Sequence, residues 1–208
     1  MGDSPHTADG TGTTSSPRMI RVAIVDDHHA VRLGLSAMLS AEHDMEPVGA
    51  ATSVADTAPL LYRTDPDVVL VDYRLADGDG LTLCQAIKRE ARAPAVVLHS
   101  AFADETLCVA AILAGADGVV HKGAHGRELS EAIRAVAAGE TWIPSIDQAT
   151  IRAGGEMIHE EDLPILGMLV HGTPQDEVAK TLMMSVGELH HRLQRMLGAL
   201  RIPNPRRQ

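Results

Sequence analysis

The chain has 208 residues, 45% of them hydrophobic, and a formal net charge of −10. This apolar content is enough for one ordinary core and a small second domain, whereas the net charge excludes a uniformly basic nucleic-acid-binding protein. Residues 157–208 contain six acidic and six basic side chains, so all of the excess negative charge lies upstream. This asymmetry leaves room for a basic contact surface near the carboxyl terminus, although a solvated helix face would show the same composition.

The sequence gives no sign of export or of insertion into a membrane. It has no uninterrupted run of about 18 apolar residues and no basic segment followed by an apolar stretch at its start. Cys84 and Cys108 lie among apolar neighbours without metal-binding spacing, which is typical of buried thiols in a reducing compartment. We therefore expect a cytoplasmic protein with no membrane partner.

The predicted elements begin after a polar segment. Residues 1–18 are rich in Gly, Ser, Thr, Asp and Pro, and they offer too little apolar surface to offset the entropy of ordering, so we expect a flexible tail. From residue 19 to residue 140, short apolar runs rich in β-branched residues alternate with amphipathic stretches through five rounds. This alternation predicts a doubly wound α/β domain with five parallel strands.

Reactive polar side chains follow four of the predicted strands. Asp26 and Asp27 come after the first strand, Asp72 after the third, Ser100 after the fourth and Lys122 after the fifth. Ligands of such sheets sit beyond the carboxyl ends of the strands, so we expect these groups to meet at one edge. Carboxylates suit Mg²⁺, and an ammonium and a hydroxyl suit phosphoryl oxygens. The sequence therefore predicts a Mg²⁺ and phosphoryl site at this edge.

The remaining residues predict a linker and a small all-α domain. Residues 141–157 contain Pro144 and two glycines without a clear helical period, which indicates a linker. In residues 158–208, Thr173 and Pro174 have the types that open a helix, and Ser185 precedes a stretch with apolar residues at helical spacing. Two helices joined by a short turn fit a helix-turn-helix unit, and any small helical bundle would show the same spacing.

Several motifs in order resemble those of the NarL/FixJ type of two-component response regulator. VDDHHAVR at 25–32, VDYRLADGDG at 71–80 and GADGVVHKG at 115–123 resemble a receiver domain over residues 19–140. A pattern of apolar and small residues from Ile158 to Leu200 resembles a LuxR-type helix-turn-helix domain. The resemblance implies a flavodoxin-like receiver followed by a DNA-binding output domain.

For the receiver, the resemblance implies a role for each strand-end residue. Asp72 is expected to accept a phosphoryl group from a phosphohistidine on a sensor histidine kinase. Asp27 and Asp72 are expected to hold Mg²⁺ directly, Asp26 mostly through water, and the backbone carbonyl of Arg74 to complete the protein ligands. Lys122 and Ser100 are expected to contact the phosphoryl oxygens. No enzymatic activity is implied beyond this transfer.

The chain departs from the family pattern at Val119, Pro164 and Glu188. Val119 stands at the switch position, three residues before the lysine, where such receivers usually carry an aromatic side chain. Pro164 should make the first helix of the output domain start late, near residue 162, or bend. In the expected recognition helix, residues 185–200, Glu188, Leu189 and His190 replace the usual Thr-Val-Lys, which weakens the attraction to DNA phosphates. Ser185 and Glu188 have the spacing of a capping box.

The recognition helix still carries polar side chains that could reach DNA, and they are His190, His191, Arg192, Gln194 and Arg195. Arg201, Arg206 and Arg207 could add contacts to the DNA backbone.

The remaining histidines near the site are assigned no chemistry. We interpret His99 and His121 as packed or surface side chains, because strand alternation points them away from the neighbouring site residues. His28 and His29 follow the acid pair, in a DDH sequence common in this subfamily, and we do not interpret them as metal ligands.

Two functions of different classes follow. In the first, phosphorylation of Asp72 controls a transcription regulator that binds promoter DNA as a homodimer, or as part of a heterodimer. In the second, motivated by Val119, Pro164 and Glu188, the degenerate helical domain binds another protein and not DNA by itself. An aspartate-dependent phosphatase is disfavoured, since such enzymes usually carry the nucleophile after the first strand.

Overall fold

The structure, a computed structural model, describes residues 18–200. The predicted tail apart from its last residue, and the basic residues Arg201, Arg206 and Arg207, lie outside the described residues. No helix in the described range is long and apolar enough to cross a membrane.

Five parallel strands form one sheet, which confirms the predicted α/β architecture. The central strand VVLVD is buried along its whole length, as expected when helices cover both faces of a sheet. The strands are β1 (Ile20–Val25), β2 (Met45–Ala51), β3 (Val68–Asp72), β6 (Ala95–Ser100) and β7 (Gly118–His121), and the short strands β4 (Arg74–Leu75) and β5 (Gly78–Asp79) form a separate hairpin. The order in the sheet is β2-β1-β3-β6-β7, so the direction of winding reverses between β1 and β3 and opens a crevice there.

The helices alternate with these strands and then continue alone to the end of the described range. Ser53 caps the second helix, because its side chain accepts a hydrogen bond from the backbone of Asp56, and Pro59 lies inside that helix. The helices are α1 (His29–Ala41), α2 (Val54–Thr64), α3 (Gly80–Lys88), α4 (Glu105–Ala114), α5 (Gly126–Ala137), α6 (Gln148–Glu156), α7 (Leu163–Val170), α8 (Gln175–Thr181) and α9 (Val186–Ala199), with a 3₁₀ turn at Glu160–Asp162.

Two apolar clusters cover the two faces of the sheet. On one face, Leu35 and Leu39 of α1 pack with Ile133 of α5. On the other face, α2, α3 and α4 form a second cluster, and this cluster continues without a break into the carboxyl-terminal helices through Leu189 and Leu193. The receiver-like part and the helical part therefore share one core.

Helix α4 is the element that joins the two parts. Seven of its ten residues are buried, because its sequence ETLCVAAILA is apolar on nearly every side. A helix of this kind needs partners on more than one face. The sheet and α3 cover one side, and α6, α7 and α9 contact the other. The expected recognition helix α9 thus lies against the receiver.

The predicted linker over residues 141–157 contains a helix that the sequence pattern does not indicate. Helix α6 occupies Gln148–Glu156, with Asp147 as its cap. Gly154 and Gly155 interrupt the apolar pattern from which a helix would be predicted. Gly154 is buried, and a Cβ at this position would lie 3.6 Å from Leu200 and 3.8 Å from Val109. Close packing, and not helix propensity, holds this segment. The earlier part of the linker extends the sheet, since Trp142 bridges to Gly118 beside β7.

The expected starts of the output helices are mostly confirmed. Helix α7 begins at Leu163, after the 3₁₀ turn, so Pro164 occupies the first turn. The N–H group that proline lacks has no partner within the helix at this position. Ser185 caps α9 by accepting from the backbone of Glu188. The prediction for α8 is one residue early, because Pro174 is the extended cap residue and the helix begins at Gln175.

A buried carboxylate ties the 3₁₀ turn to α9. Asp162 is 0% exposed and accepts hydrogen bonds from Arg195 Nη2 at 2.7 Å and Arg192 Nη1 at 3.4 Å. Glu161 also binds Arg195 at 2.7 Å, and Glu188 binds Arg192 at 3.0 Å. A buried charge is tolerated only when it is paired in this way. The orientation of α9 therefore depends on Asp162.

We predict that Asp162→Asn lowers the free energy of unfolding by about 2 kcal/mol or more, because it leaves two guanidinium groups without their buried partner. Urea denaturation followed by circular dichroism checks this. Asp176→Asn is the matched control, since Asp176 forms an exposed pair with Lys180 within one helix, and it should leave the midpoint unchanged. Equal midpoints for the native chain and both variants would contradict the role of Asp162.

Candidate phosphoryl and metal site

Asp72 lies at the carboxyl end of the central strand, at the reversal of the sheet. Its side chain is buried, and its Oδ1 accepts a hydrogen bond from the backbone of Arg74 at 3.1 Å. Gly80 approaches from the start of α3, where a Cβ would lie 2.5 Å from the Asp72 carbonyl oxygen. Any larger residue would displace the strand end, so Gly80 keeps the carboxylate in place.

Lys122 reaches across the sheet to two carboxylates. Its Nζ lies 2.7 Å from Asp26 Oδ2 and 2.8 Å from Asp72 Oδ2, although residues 26 and 122 are 96 positions apart. Asp27 lies beside them at the end of β1. The predicted meeting of Asp26, Asp27, Asp72 and Lys122 at one edge is therefore what the structure shows. One ammonium faces three carboxyl groups, which favours an additional cation.

The environment shifts the pKa values of both Asp72 and Lys122. Burial raises the pKa of Asp72, and the hydrogen bonds from Lys122 and from the Arg74 backbone partly oppose this rise. Burial alone would lower the pKa of Lys122, but its hydrogen bonds to Asp26 and Asp72 outweigh burial and raise it. Lys122 therefore remains a fixed positive charge, and a cation bound beside Asp72 would favour its ionised form.

Ser100 lies on the neighbouring strand at the same edge. Its carbonyl accepts a hydrogen bond from the Lys122 backbone at 2.7 Å, which keeps the two strand ends level. Its Oγ accepts from the backbone of Phe102 at 3.0 Å, and the residue is buried. The structure thus brings Ser100 to the edge that carries Asp72 and Lys122.

His28, which the sequence analysis does not assign as a metal ligand, lies beside the acidic cluster. One ligand atom each from Asp26, Asp27, His28 and Asp72 lie within 4.8 Å of one another. The turn from β1 into α1 places the imidazole there. His29 begins α1 and is exposed, and it is not part of this cluster.

The donor set fits a divalent metal ion. Carboxylate oxygens are the ligands that Mg²⁺ prefers, and three of them converge beside one ammonium. Arg74 follows Asp72 closely and donates its backbone N–H to it, as a residue in the expected ligand loop should. The role of its carbonyl as a ligand remains a prediction.

Sequence reasoning missed an aromatic and cationic rim beside the site. The Arg74 guanidinium lies 4.6 Å from the centroid of the Phe102 ring and 5.9 Å from that of Tyr73, within the range of cation–π attraction. Phe102 is 57% exposed. The available signal was that the only phenylalanine of the sequence follows the strand-end serine by two residues.

Val119, at the expected switch position, is buried within β7. Its backbone N–H donates to the carbonyl of Trp142 at 2.8 Å, and the N–H of Trp142 donates to Asp117 at 2.8 Å. The side chain is too small to exchange large contact areas, whereas the backbone connects the strand to the segment that follows α5. The role of Val119 as a switch remains a prediction.

The expected DNA-contact residues fall into three groups on α9. Arg192 and Arg195 bind the acids around Asp162, as described above. His190 is half-buried in a gap lined by Gln85 and Arg89 of the receiver, and burial lowers its pKa, with a further contribution from Arg89. His191 and Gln194 are exposed. Of the five, these two are exposed, and their side chains form no hydrogen bond with other residues in the part of the chain that the structure describes.

His99 is buried at the end of β6, as expected for a packed side chain. Its Nδ1 has no hydrogen-bond partner among the described residues. Burial, with the nearby charge of Lys122, lowers the pKa of His99 to about 4. His121 is exposed and accepts a hydrogen bond from the Gly123 backbone.

Comparison with known proteins agrees with this fold and site. Residues 22–134 match the family described as response regulator receiver domain. The chain is 32% identical over 193 residues to the DNA-binding transcriptional activator DevR/DosR of Mycobacterium tuberculosis, with 88% of each chain covered. A LuxR-family response regulator structure from Aurantimonas is 27% identical with a TM-score of 0.59, covering 65% of this chain and 97% of that one.

The likeness in fold extends beyond the receiver. The RcsB response regulator structure from Salmonella typhimurium matches 90% of this chain and 94% of its own, with a TM-score of 0.58 at 21% identity. The fold and its acidic edge define a receiver domain joined to a helical output unit. The chain belongs to the two-component response regulator family with NarL/LuxR-type architecture.

We predict that His99 makes stability fall as the pH drops. Its folded pKa of about 4 is below its ordinary value of 6.5, so the unfolded chain binds the extra proton. The contribution is fully present above pH ~6.5 and is lost toward pH ~4, with a total of at most about 3 kcal/mol. His99→Leu should remove this part of the pH dependence.

Urea unfolding at several pH values, without added metal, measures the free energy of unfolding of the native chain and the variant. Subtracting one pH curve from the other removes the contribution of the carboxylates, which both proteins share. His125→Leu is the control, because His125 is exposed and its side chain caps nothing. A difference curve for His99→Leu that is flat from pH 7 to pH 4 would show that the burial of His99 has no energetic consequence.

Proposed function

We propose that this chain is a response regulator that is phosphorylated on Asp72 by a sensor histidine kinase and binds promoter DNA to regulate transcription. The observation that supports this most directly is the contact of Lys122 with both Asp26 and Asp72 at the reversal of the sheet. An ammonium held against a buried carboxylate is arranged to receive the charge of a transferred phosphoryl group.

In the proposed transfer, an Asp72 oxygen attacks phosphorus as the bond from phosphorus to the donor imidazole nitrogen breaks. The electron pair returns to that nitrogen, and Asp72 becomes an aspartyl phosphate. Lys122 balances charge on one phosphoryl oxygen, and the Ser100 hydroxyl donates to another. Mg²⁺ held by Asp27 and Asp72, with Asp26 through water and the Arg74 carbonyl, would neutralise the remaining negative charge. The chain needs no further enzymatic activity.

We propose a receiver over residues 19–140, a linker over 141–157 that includes α6, and a helix-turn-helix domain over 158–208. The packing of α9 on α4 suggests how the receiver controls the helix-turn-helix domain. His190 and Leu193 face the receiver, while His191 and Gln194 remain open. Phosphorylation then acts by weakening the contact of α4 with α9, so that two copies can place their α9 helices in half-sites about one DNA turn apart.

A second candidate function is a regulator that binds another protein and not DNA by itself, including a heterodimer with a second regulator. The pairing of Arg192 and Arg195 with Asp162, Glu161 and Glu188 favours it, because these guanidinium groups are already neutralised. DNA phosphates would have to compete with these ion pairs.

For phosphorylation, we predict that Mg²⁺ and a small phosphodonor add the mass of one phosphoryl group, and that Asp72→Asn abolishes the addition. Intact-protein mass spectrometry measures it. Asp56→Asn is the matched control, since Asp56 is an exposed carboxylate on α2, outside the acidic cluster, and this variant should gain the same phosphoryl mass as the native chain. Persistence of the added mass in Asp72→Asn would make Asp72 the wrong acceptor.

For DNA, we predict that Gln194→Ala and His191→Ala each lower the affinity for a specific promoter site about tenfold. These exposed residues are better probes than Arg192 or Arg195, whose removal would also disturb Asp162. Fluorescence anisotropy of the phosphorylated protein at fixed salt measures binding, and Gln148→Ala, in the predicted linker, is the control. No salt-dependent, sequence-specific binding by the native chain would support the protein-binding function instead.

A further inference from the structure

We propose that His28 supplies a nitrogen ligand to the metal site, so that this receiver prefers Co²⁺, Ni²⁺ or Zn²⁺ over Mg²⁺ more strongly than its carboxylates alone would allow. The inference rests on the metal site of the proposed function and adds to it the residue that determines metal preference. Its basis is the position of the imidazole among the three acids.

The imidazole nitrogen lies among the metal-binding oxygens. His28 Nδ1 is 2.7 Å from Asp27 Oδ1, 3.2 Å from Asp26 Oδ1 and 3.8 Å from Asp72 Oδ2. Ligands of one ion are neighbours at separations of this order. A cation that enters between these carboxylates therefore meets the imidazole as well.

The backbone of His28 helps to hold the residue beside the acids. The His28 N–H donates to Asp26 Oδ1 at 2.8 Å, which fixes the turn from β1 into α1. His28 is the cap residue of α1, yet its side chain makes no capping hydrogen bond. The ring is 53% exposed, so its other nitrogen can carry its proton toward solvent. The side chain can thus bind a metal without weakening the helix.

The ligand types determine the preference. Carboxylate oxygens and water suit Mg²⁺, whereas imidazole suits transition ions, whose affinities for nitrogen sites rise from Mn²⁺ through Co²⁺ and Ni²⁺. Lys122 cannot compete for the metal, because its ammonium has no free electron pair. One imidazole among three carboxylates should therefore raise the affinity for Co²⁺ while changing that for Mg²⁺ little.

The test compares Co²⁺ and Mg²⁺ binding to the full chain by isothermal titration calorimetry. Only Co²⁺ that excess Mg²⁺ displaces is counted, because the sequence has 11 histidines that could bind Co²⁺ elsewhere. We expect His28→Ala to lower the ratio of Co²⁺ to Mg²⁺ affinity about tenfold. His29→Ala is the matched control at the next position, and it should leave the ratio unchanged.

Pulsed electron paramagnetic resonance of bound Mn²⁺ provides a direct signature. Coupling to one nitrogen nucleus should be present in the native chain and in His29→Ala, and absent in His28→Ala. An unchanged affinity ratio together with no nitrogen coupling in the native chain would overturn the inference while leaving Mg²⁺ binding intact. Failure of the proposed metal site would look different. In that case neither Co²⁺ nor Mg²⁺ would show binding to the native chain that Asp27→Asn abolishes.

Discussion

The contact of the Lys122 ammonium with Asp26 and Asp72 is the interaction on which the functional edge depends. Carboxyl groups that meet where water is partly excluded repel one another, and the repulsion is stronger there than in solvent. Lys122 offsets part of it from the far side of the sheet. The strand order that places β1 beside β3, and β6 between β3 and β7, is what allows the ammonium to reach the acids.

Helix α4 connects this edge to the output unit. It begins beyond the strand that carries Ser100, and it is apolar on nearly all sides, so its outer face must be covered. In this structure α6, α7 and α9 cover it. The same burial that stabilises α4 holds the expected recognition helix against the receiver. A rearrangement at the strand ends and the release of α9 therefore involve one helix.

The output unit uses its arginines for its own architecture. Asp162 is fully buried, and the two guanidinium groups that satisfy it come from the helix on which DNA contacts were expected. Glu161 and Glu188 add negative charge to the same group. This arrangement stabilises α9 while lowering its attraction to phosphates, which is why the exposed His191 and Gln194 are the informative positions for DNA recognition.

The sequence by itself determined the alternating architecture and the residues at the strand ends, because buried parallel strands are continuous apolar runs and a polar residue at their end has only one edge to occupy. It also located the cap at Ser185 and the late start of α7, since these depend on neighbouring residues. Only the tertiary structure decided the position of His28, the helix within residues 141–157 and the pairing of Asp162 with Arg192 and Arg195. These features arise from contacts between distant segments, about which local spacing and propensity carry no information.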